Sequence, residues 1–311
     1  MAINIKGLSK KFQTKEVLCG LNLTVPKGKV FALLGQNGAG KTTMVKILSM
    51  LLKFDSGNVN VLSHDLPKES DSVRSKISLT GQYVALDEDL TGEQNLILIS
   101  RILGYKGNQA KERAKTLLEQ FDLADAGGKI AKTYSGGMHR RLDIAASIIK
   151  TPELLFLDEP TTGLDPRSRT VVWDFVRNLV KNGTTIFLTT QYLEEADRLA
   201  DLIAVIEGGK IVAKGTPTEL KNLVGRKTIR LRLQNSTELS YAKSIMEKLF
   251  ADTSIVEHET DSLAVEISYV SQANALLYKL SELQVEPIEY SISQASLDEV
   301  FMNFTGGKLN G

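Results

Sequence analysis

Cysteine is nearly absent: Cys19 is the one thiol in 311 residues. No intrachain disulfide can form, and a reducing compartment is expected. Histidine is almost as scarce, and His64, His139 and His258 lie too far apart in the chain to suggest a zinc centre. No stretch approaches the roughly 18 apolar residues that a membrane-spanning helix needs. The opening segment MAINIKGLSKKF also lacks the apolar core of a secretory signal. A membrane function would therefore place the spanning part in another chain. Neither sign of charge dominates: 38 Lys and Arg against 37 Asp and Glu leave a net charge of +1. That balance gives no electrostatic case for nucleic acid, or for an anionic lipid surface, as the main partner. Heptads, internal repeats and low-complexity tracts are missing too. What remains is an ordinary globular composition, 42% hydrophobic and 24% charged, in a chain long enough for two domains.

Against that background the stretch GQNGAGKTT, Gly35 to Thr43, stands out. It carries the spacing G-x-x-x-x-G-K-[ST] between an apolar run, VFALL, and an apolar segment, KTTMVKILSMLL. Strand, glycine-rich turn and helix in that order predict a phosphate cradle. Gly35, Gln36, Asn37, Gly38, Ala39 and Gly40 present backbone N–H groups, and Lys41 adds a point charge at the positive end of the helix. Thr42, followed by Thr43, is placed to give its hydroxyl to Mg²⁺. A second apolar run, LLFLDEP, ends in Asp158, whose carboxylate suits Mg²⁺ held through water. Glu159 follows at once and is the candidate base for an attacking water. The third signal, YSGGMHRRLD, sets Ser135, Gly136, Gly137 and Met138 at a helix start, a second anion-binding terminus. One domain has no evident need of two γ-phosphate cradles. Two copies arranged head to tail do, each closing its SGG over the other's P-loop. His139, Arg140 and Arg141 read as solvent-facing charges, and Trp173 with Phe175, Val176 and Leu179 as core.

The surrounding pattern predicts the scaffold. AINIKGLSKKF and EVLCGLNLTV alternate apolar and polar residues, as two antiparallel strands would. VFALLG, LLFLDEP and TTIFLTT are continuous apolar runs, suited to strands buried on both faces of a parallel sheet. LIAVIEGGKIVAKG predicts a hairpin turning at Gly208 and Gly209. Residues 88–150 read as a helical subdomain that opens with a capping-box pair, Thr91 and Gln94. A composition change near Gly225 divides a first domain, 1–224, from a second, 225–311. The second reads β-α-β-β-α-β, the split ferredoxin-like order, whose final strand, VEPIEYSIS, is an edge strand because it contains Pro287. Ser296 and Glu299 predict a cap for a last helix. The expected fold class is α/β: a P-loop NTPase core on a mixed sheet with a helical subdomain, joined to a small α+β domain.

Together these motifs resemble the ATP-binding subunit of ABC transporters over about residues 1–220, through GQNGAGKTT, SLTGQYVALDEDLTGEQNL, YSGGM, LLFLDEP and TTGLD. The match is closer to the daunorubicin-resistance type of exporter ATPase, because TGQYVALDEDLTG, YSGGMHRRLD and ASLDEVFMNFTGG extend it to nearly the full chain. The resemblance implies an ATPase that uses ATP and Mg²⁺. It implies that Phe12 stacks on adenine and that Gln82 links Mg²⁺ to the surface touching the membrane subunit. By the same resemblance Asp165 lies between two ATPase copies. The implied partners are a second copy or a homologous ATPase subunit, plus separate transmembrane permease subunits, with no nucleic acid. The implied location is the cytoplasmic face of a bacterial or archaeal membrane, exporting a drug, lipid or similar substrate.

Two departures bear on mechanism. Met138 stands where most of the family has glutamine, and Gln191 in LTTQYLEEAD stands where it usually has a histidine that contacts the γ-phosphate. Glutamine donates a hydrogen bond but does not titrate near neutral pH. The daunorubicin-type group shares this glutamine. Soluble ABC proteins that act on ribosomes usually carry two cassettes, whereas one P-loop is present here. DNA-repair relatives need a long coiled coil, for which no heptads exist. A non-hydrolysing nucleotide sensor stays open as an alternative, on the strength of Gln191.

Overall fold

A computed structural model describes residues 1–80, 86–224, 227–250, 255–258, 261–293 and 296–305. The chain forms two compact units, Met1–Pro217 and Thr218–Gly311.

In the first unit the central sheet has six strands, in the order Lys210–Gly215, Leu202–Glu207, Val30–Leu34, Thr185–Thr190, Leu154–Asp158 and Ile77–Thr80. All neighbours are parallel except the Lys210–Gly215 edge, which closes the expected hairpin with Leu202–Glu207. The strands Val30–Leu34, Leu154–Asp158 and Thr185–Thr190 are buried at every residue, as continuous apolar runs require. Phe187 anchors them, its ring centroid 5.4 Å from that of Phe31 and 5.8 Å from that of Phe156. Each such ring contributes about 1.5–3 kcal/mol on burial.

A second, antiparallel sheet runs Lys15–Val25, Ile3–Phe12, Ser56–Val61, His64–Leu66. Ile3 and Ile5 are buried at period two, but the next buried residue is Leu8. The shift falls at Gly7, whose φ of 64° and register break mark a bulge. The helix Lys41–Leu48 shares one core with both sheets, through Met44, Val45, Ile47 and Leu48. Its start is thereby fixed against the central sheet.

The expected helical section contains Gly92–Ile102, Gly107–Gln120 and Gly136–Ser147, with single turns at Ala124–Ala126 and Ala131–Thr133. Thr91 caps the first helix as its sequence implies: Gln94 N–H donates to Thr91 Oγ1 (3.1 Å), and Thr91 N–H donates to Gln94 Oε1 (2.9 Å). Buried Asn95 pins the preceding loop, accepting from Asp87 N–H and donating to the Asp87 and Thr91 carbonyls. Leu142, Ala145, Ala146 and Ile149 are buried as their stripe predicts, with Ile149 lying beyond the helix end at Ser147.

Arg140 and Arg141 differ from the sequence expectation. Arg141 is only 8% exposed, and its Nη1 donates to the Phe121 (2.7 Å) and Asp122 (3.1 Å) carbonyls at the end of Gly107–Gln120. Arg140 also turns inward, onto backbone carbonyls described below. A guanidinium has five donors, so it satisfies orphaned carbonyls that a pattern of charge alone does not reveal.

The second unit has the order Ile255–His258, Ser262–Ile267, Lys227–Arg232, Glu289–Ser293, antiparallel throughout. Helices Ser236–Leu249 and Val270–Glu282 supply Ala242, Met246, Leu276 and Leu280 to a core with Ile229, Leu231, Leu263 and Val265. This is the β-α-β-β-α-β order read from the sequence, with Glu289–Ser293 at the edge, shortly after Pro287. A helix, Leu297–Thr305, follows; the Glu299 side chain lies outside the described residues.

One buried acid in the first unit sets a pH dependence. Glu195 is 1% exposed on the helix Leu193–Leu199, and Trp173 Nε1 donates to its Oε1 at 3.2 Å. Burial pushes the Glu195 carboxyl up from its ordinary 4.5, against the pull of Thr190, Thr161, Trp173 and the Arg169 charge. The folded state therefore holds this proton more tightly than the unfolded chain. The corresponding stability is complete below about pH 4.5 and is lost as pH rises through the raised folded value. Glu195→Gln keeps an acceptor for Trp173 and removes the titration. Its thermal midpoint relative to wild type should therefore rise between about pH 4 and about pH 7. A midpoint difference that is constant or falls over that range would contradict the assignment.

Candidate functional site

The P-loop leaves the end of Val30–Leu34 and runs into Lys41–Leu48. Two glycines are needed for packing as well as flexibility. A Cβ on Gly35 would lie 2.6 Å from the Ile206 carbonyl, and one on Gly40 would lie 2.8 Å from Leu18 Cδ2. Gly40 also adopts a φ of 108° and provides no side-chain cap, leaving the helix start open to an anion. Asn37, Gly38 and Thr42 are exposed, whereas Gln36, Ala39 and Thr43 are half-buried. Lys41 is 4% exposed; its Nζ donates to the Gly35 (2.8 Å) and Gln36 (3.1 Å) carbonyls.

The acidic strand reaches the same place. Asp158 is the buried last residue of Leu154–Asp158, and the Thr189 hydroxyl donates to its Oδ1. Glu159 follows with a φ of 48°, a left-handed conformation that costs a non-glycine residue roughly 1–2 kcal/mol. Its N–H donates to the Thr189 carbonyl at 3.0 Å, and this turn aims the side chain across the strand end. Glu159 Oε1 lies 3.2 Å from Lys41 Nζ. Two segments predicted separately therefore form one site.

Gln191 is the first residue beyond Thr185–Thr190 and is half-buried. Thr190 pairs with Leu34, and its carbonyl accepts from Gly35 N–H at 3.4 Å. The backbone entering Gln191 thus borders the start of the P-loop. Phe12 ends the first strand of the unit with a 45% exposed ring, and Lys10 Nζ sits 5.5 Å from the ring centroid. Its hairpin partner strand carries Val17 and Leu18, which lie against Gly40. Gln82 lies outside the described residues.

Ser135, Gly136, Gly137 and Met138 form the expected helix start: Met138 N–H donates to Ser135 Oγ at 3.3 Å, and Ser135 and Gly136 are exposed. Tyr134 holds this turn by packing over Gly92, where a Cβ would lie 2.1 Å from its Oη, and by donating to the Ala126 carbonyl at 2.7 Å. A Cβ on Gly137 would lie 2.9 Å from Ser168 Oγ. Ser168 in turn donates to Asp165, which caps the helix Pro166–Lys181. The Ser168 side-chain and backbone bonds hold the Asp165 carboxyl below the usual carboxylate range.

Arg140 is the residue that pattern reading missed. From the middle of Gly136–Ser147 its Nη2 donates to the Asp158 carbonyl (3.0 Å) and the Glu159 carbonyl (3.4 Å), and its Nε to the Pro160 carbonyl (3.2 Å). The only sequence signal was its place five residues after Ser135 on the same helix.

Comparison with known proteins gives the family. The ABC transporter family matches residues 18–162, and the ATP-binding protein DrrA1-3-like C-terminal domain matches residues 215–305. The daunorubicin/doxorubicin resistance ATP-binding protein DrrA of Streptomyces peucetius is 48% identical, over 98% of this chain and 92% of its own. The doxorubicin resistance ATP-binding protein DrrA of Mycobacterium tuberculosis is 40% identical over 98% and 94%. The linearmycin resistance ATP-binding protein LnrL of Bacillus subtilis is 32% identical over 99% of each chain. Among solved structures, an ATP-binding subunit of an ABC transporter superposes with a TM-score of 0.64 at 27% identity, over 72% of this chain and 93% of that one. A dimeric ATP-binding cassette bound to ADP and Pi shares the fold, with a TM-score of 0.62 at 23% identity over 69% and 98%. The chain therefore belongs to the daunorubicin-resistance type of ABC transporter ATP-binding subunit and is an ATPase of that family.

Proposed function

We propose that two copies of this chain, or one copy and a homologous subunit, close head to tail over two MgATP and drive a separate transmembrane permease. The observation that carries this reading is the 3.2 Å approach of Lys41 Nζ to Glu159 Oε1. It sets a phosphate-binding cation and a proton acceptor side by side. The exposed start of Gly136–Ser147 gives the second half of the argument, since a helix N-terminus open to solvent suits the γ-phosphate of another copy.

The donor set fits Mg²⁺. The Thr42 hydroxyl, the Asp158 carboxylate and, by resemblance, Gln82 are oxygen ligands, and Mg²⁺ keeps waters and phosphate oxygens for its other positions. When bound, Mg²⁺ neutralises phosphate charge. Lys41 adds a cation at the β- and γ-phosphates, and P-loop N–H groups orient them. Glu159 accepts the proton of the attacking water. Thr189 holds Asp158 through its Oδ1, which fixes that carboxylate's rotamer. Gln191 donates a neutral hydrogen bond to the γ-phosphate in place of histidine.

Among the described residues no helix is long and apolar enough to cross a membrane. The permease therefore supplies the spans, with this subunit on its cytoplasmic face. Relatives are named for resistance to daunorubicin, doxorubicin and linearmycin and for Nod factor export. An amphipathic drug or lipid-like molecule is the cargo class we propose. The Thr218–Gly311 unit regulates or dimerises the motor, because every phosphate-handling motif lies before residue 192.

Glu159→Gln should bind ATP with wild-type affinity, associate into a dimer on adding MgATP, and turn over no ATP. Hydrolysis at the wild-type rate would remove Glu159 from the role of base. Lys41→Ala should abolish productive binding, and an unchanged MgATP titration would defeat the P-loop assignment. Gln191→Ala should slow turnover. A hydrogen bond to a charged oxygen is worth about 1.5–3 kcal/mol, or roughly 10- to 150-fold if made only in the transition state. Steady-state assays with the permease present measure this, and an unaffected rate would leave residue 191 a bystander. A wild type with no turnover at all would favour the sensor reading.

A further inference from the structure

Arg140 does something the phosphate motifs do not explain. Its guanidinium bridges the carbonyls of three successive residues, Asp158, Glu159 and Pro160, at 3.0, 3.4 and 3.2 Å. The middle residue holds a φ of 48° and extends its carboxylate to within 3.2 Å of Lys41 Nζ. A bulky residue in that conformation persists only where its surroundings over-determine it. Here they do so from both sides: Thr189 accepts from the Glu159 N–H, and Arg140 donates to the Glu159 carbonyl. The peptide groups on either side of the Glu159 Cα are therefore both tethered, one to the strand Thr185–Thr190 and one to the helix Gly136–Ser147.

We propose that Arg140 is a positioning residue for hydrolysis: it fixes the backbone of Glu159 and ties the aim of that carboxylate to the helix that begins at Ser135. The tether is short and stiff. Four residues of one helix separate the Ser135 cap from Arg140, and Arg113 holds the far end through the Ile148 (2.8 Å) and Ile149 (2.9 Å) carbonyls. A helix pinned at both ends moves as a body. Displacement of its start by a γ-phosphate reaches Glu159 through Arg140. This relay rests on the two-copy reading above, in which the phosphate at Ser135 belongs to the other copy's ATP; the positioning role does not.

The test uses the full-length chain with its permease. Arg140→Met should lower kcat roughly 10- to 100-fold, as a small misplacement of a reacting group does, with the KM for ATP and the thermal midpoint near wild type. Arg140→Lys, which can still reach one carbonyl, should recover part of the loss. The steepness of the rate against ATP concentration should also fall in Arg140→Met. An unchanged kcat, or a loss fully accounted for by weaker ATP binding or lower stability, would overturn the positioning role. A wild type with no sigmoidal ATP dependence would overturn the relay together with the two-copy reading. A cooperative wild type matched in steepness by Arg140→Met would overturn the relay alone.

Discussion

Val30–Leu34, Thr185–Thr190 and Leu154–Asp158 pair in parallel register, so Leu34 lies beside Thr190 and Asp158 beside Thr189. That alignment brings three chain exits to one edge of the sheet: the P-loop, Gln191 and Glu159. A slip of one residue in either pairing would turn Asp158 or the start of the P-loop to the wrong face. The register is protected by burial on both faces and by the Phe31, Phe187 and Phe156 rings that span the three strands. The site thus depends on the core beneath it, and its geometry follows from apolar packing before any polar contact is made.

Polar groups then refine what the sheet has placed. Positive charge taken inside the unit is seated on backbone carbonyls: Lys41 on Gly35 and Gln36, Arg113 on Ile148 and Ile149, Arg141 on Phe121 and Asp122, and Arg140 on the acidic turn. A buried cation left without partners would cost several kcal/mol. Seating on carbonyls meets that demand and fixes chain ends that helices leave unsatisfied. At Glu159 the same device holds a strained backbone in the conformation that points its carboxylate at Lys41.

Much of this was legible in the sequence. The glycine spacing at Gly35–Gly40, the apolar run into Asp158 and the β-α-β-β-α-β rhythm after Gly225 each rest on local pattern, and local pattern is what a sequence displays. The inward turn of Arg140 and Arg141 was not legible. Adjacent charged residues on a helix look alike in a sequence, whereas their destination depends on which carbonyls other segments leave open. Glu195 escaped notice for a related reason: Trp173, which donates to it, lies 22 residues earlier in the chain. The bulge at Gly7 likewise became visible only from the register of its neighbours.

The central claim is that the start of Gly136–Ser147 completes the P-loop of another copy. Thiol crosslinking tests it most directly, because Cys19 is the only native cysteine and Cys19→Ser leaves a clear background. In that background, with Glu159→Gln to retain ATP, chains carrying Asn37→Cys are mixed with chains carrying Met138→Cys and treated with a short bifunctional thiol reagent. The account predicts a crosslinked dimer of the two kinds of chain in MgATP, and little without nucleotide. Absence of that dimer, while both chains bind MgATP, would contradict it.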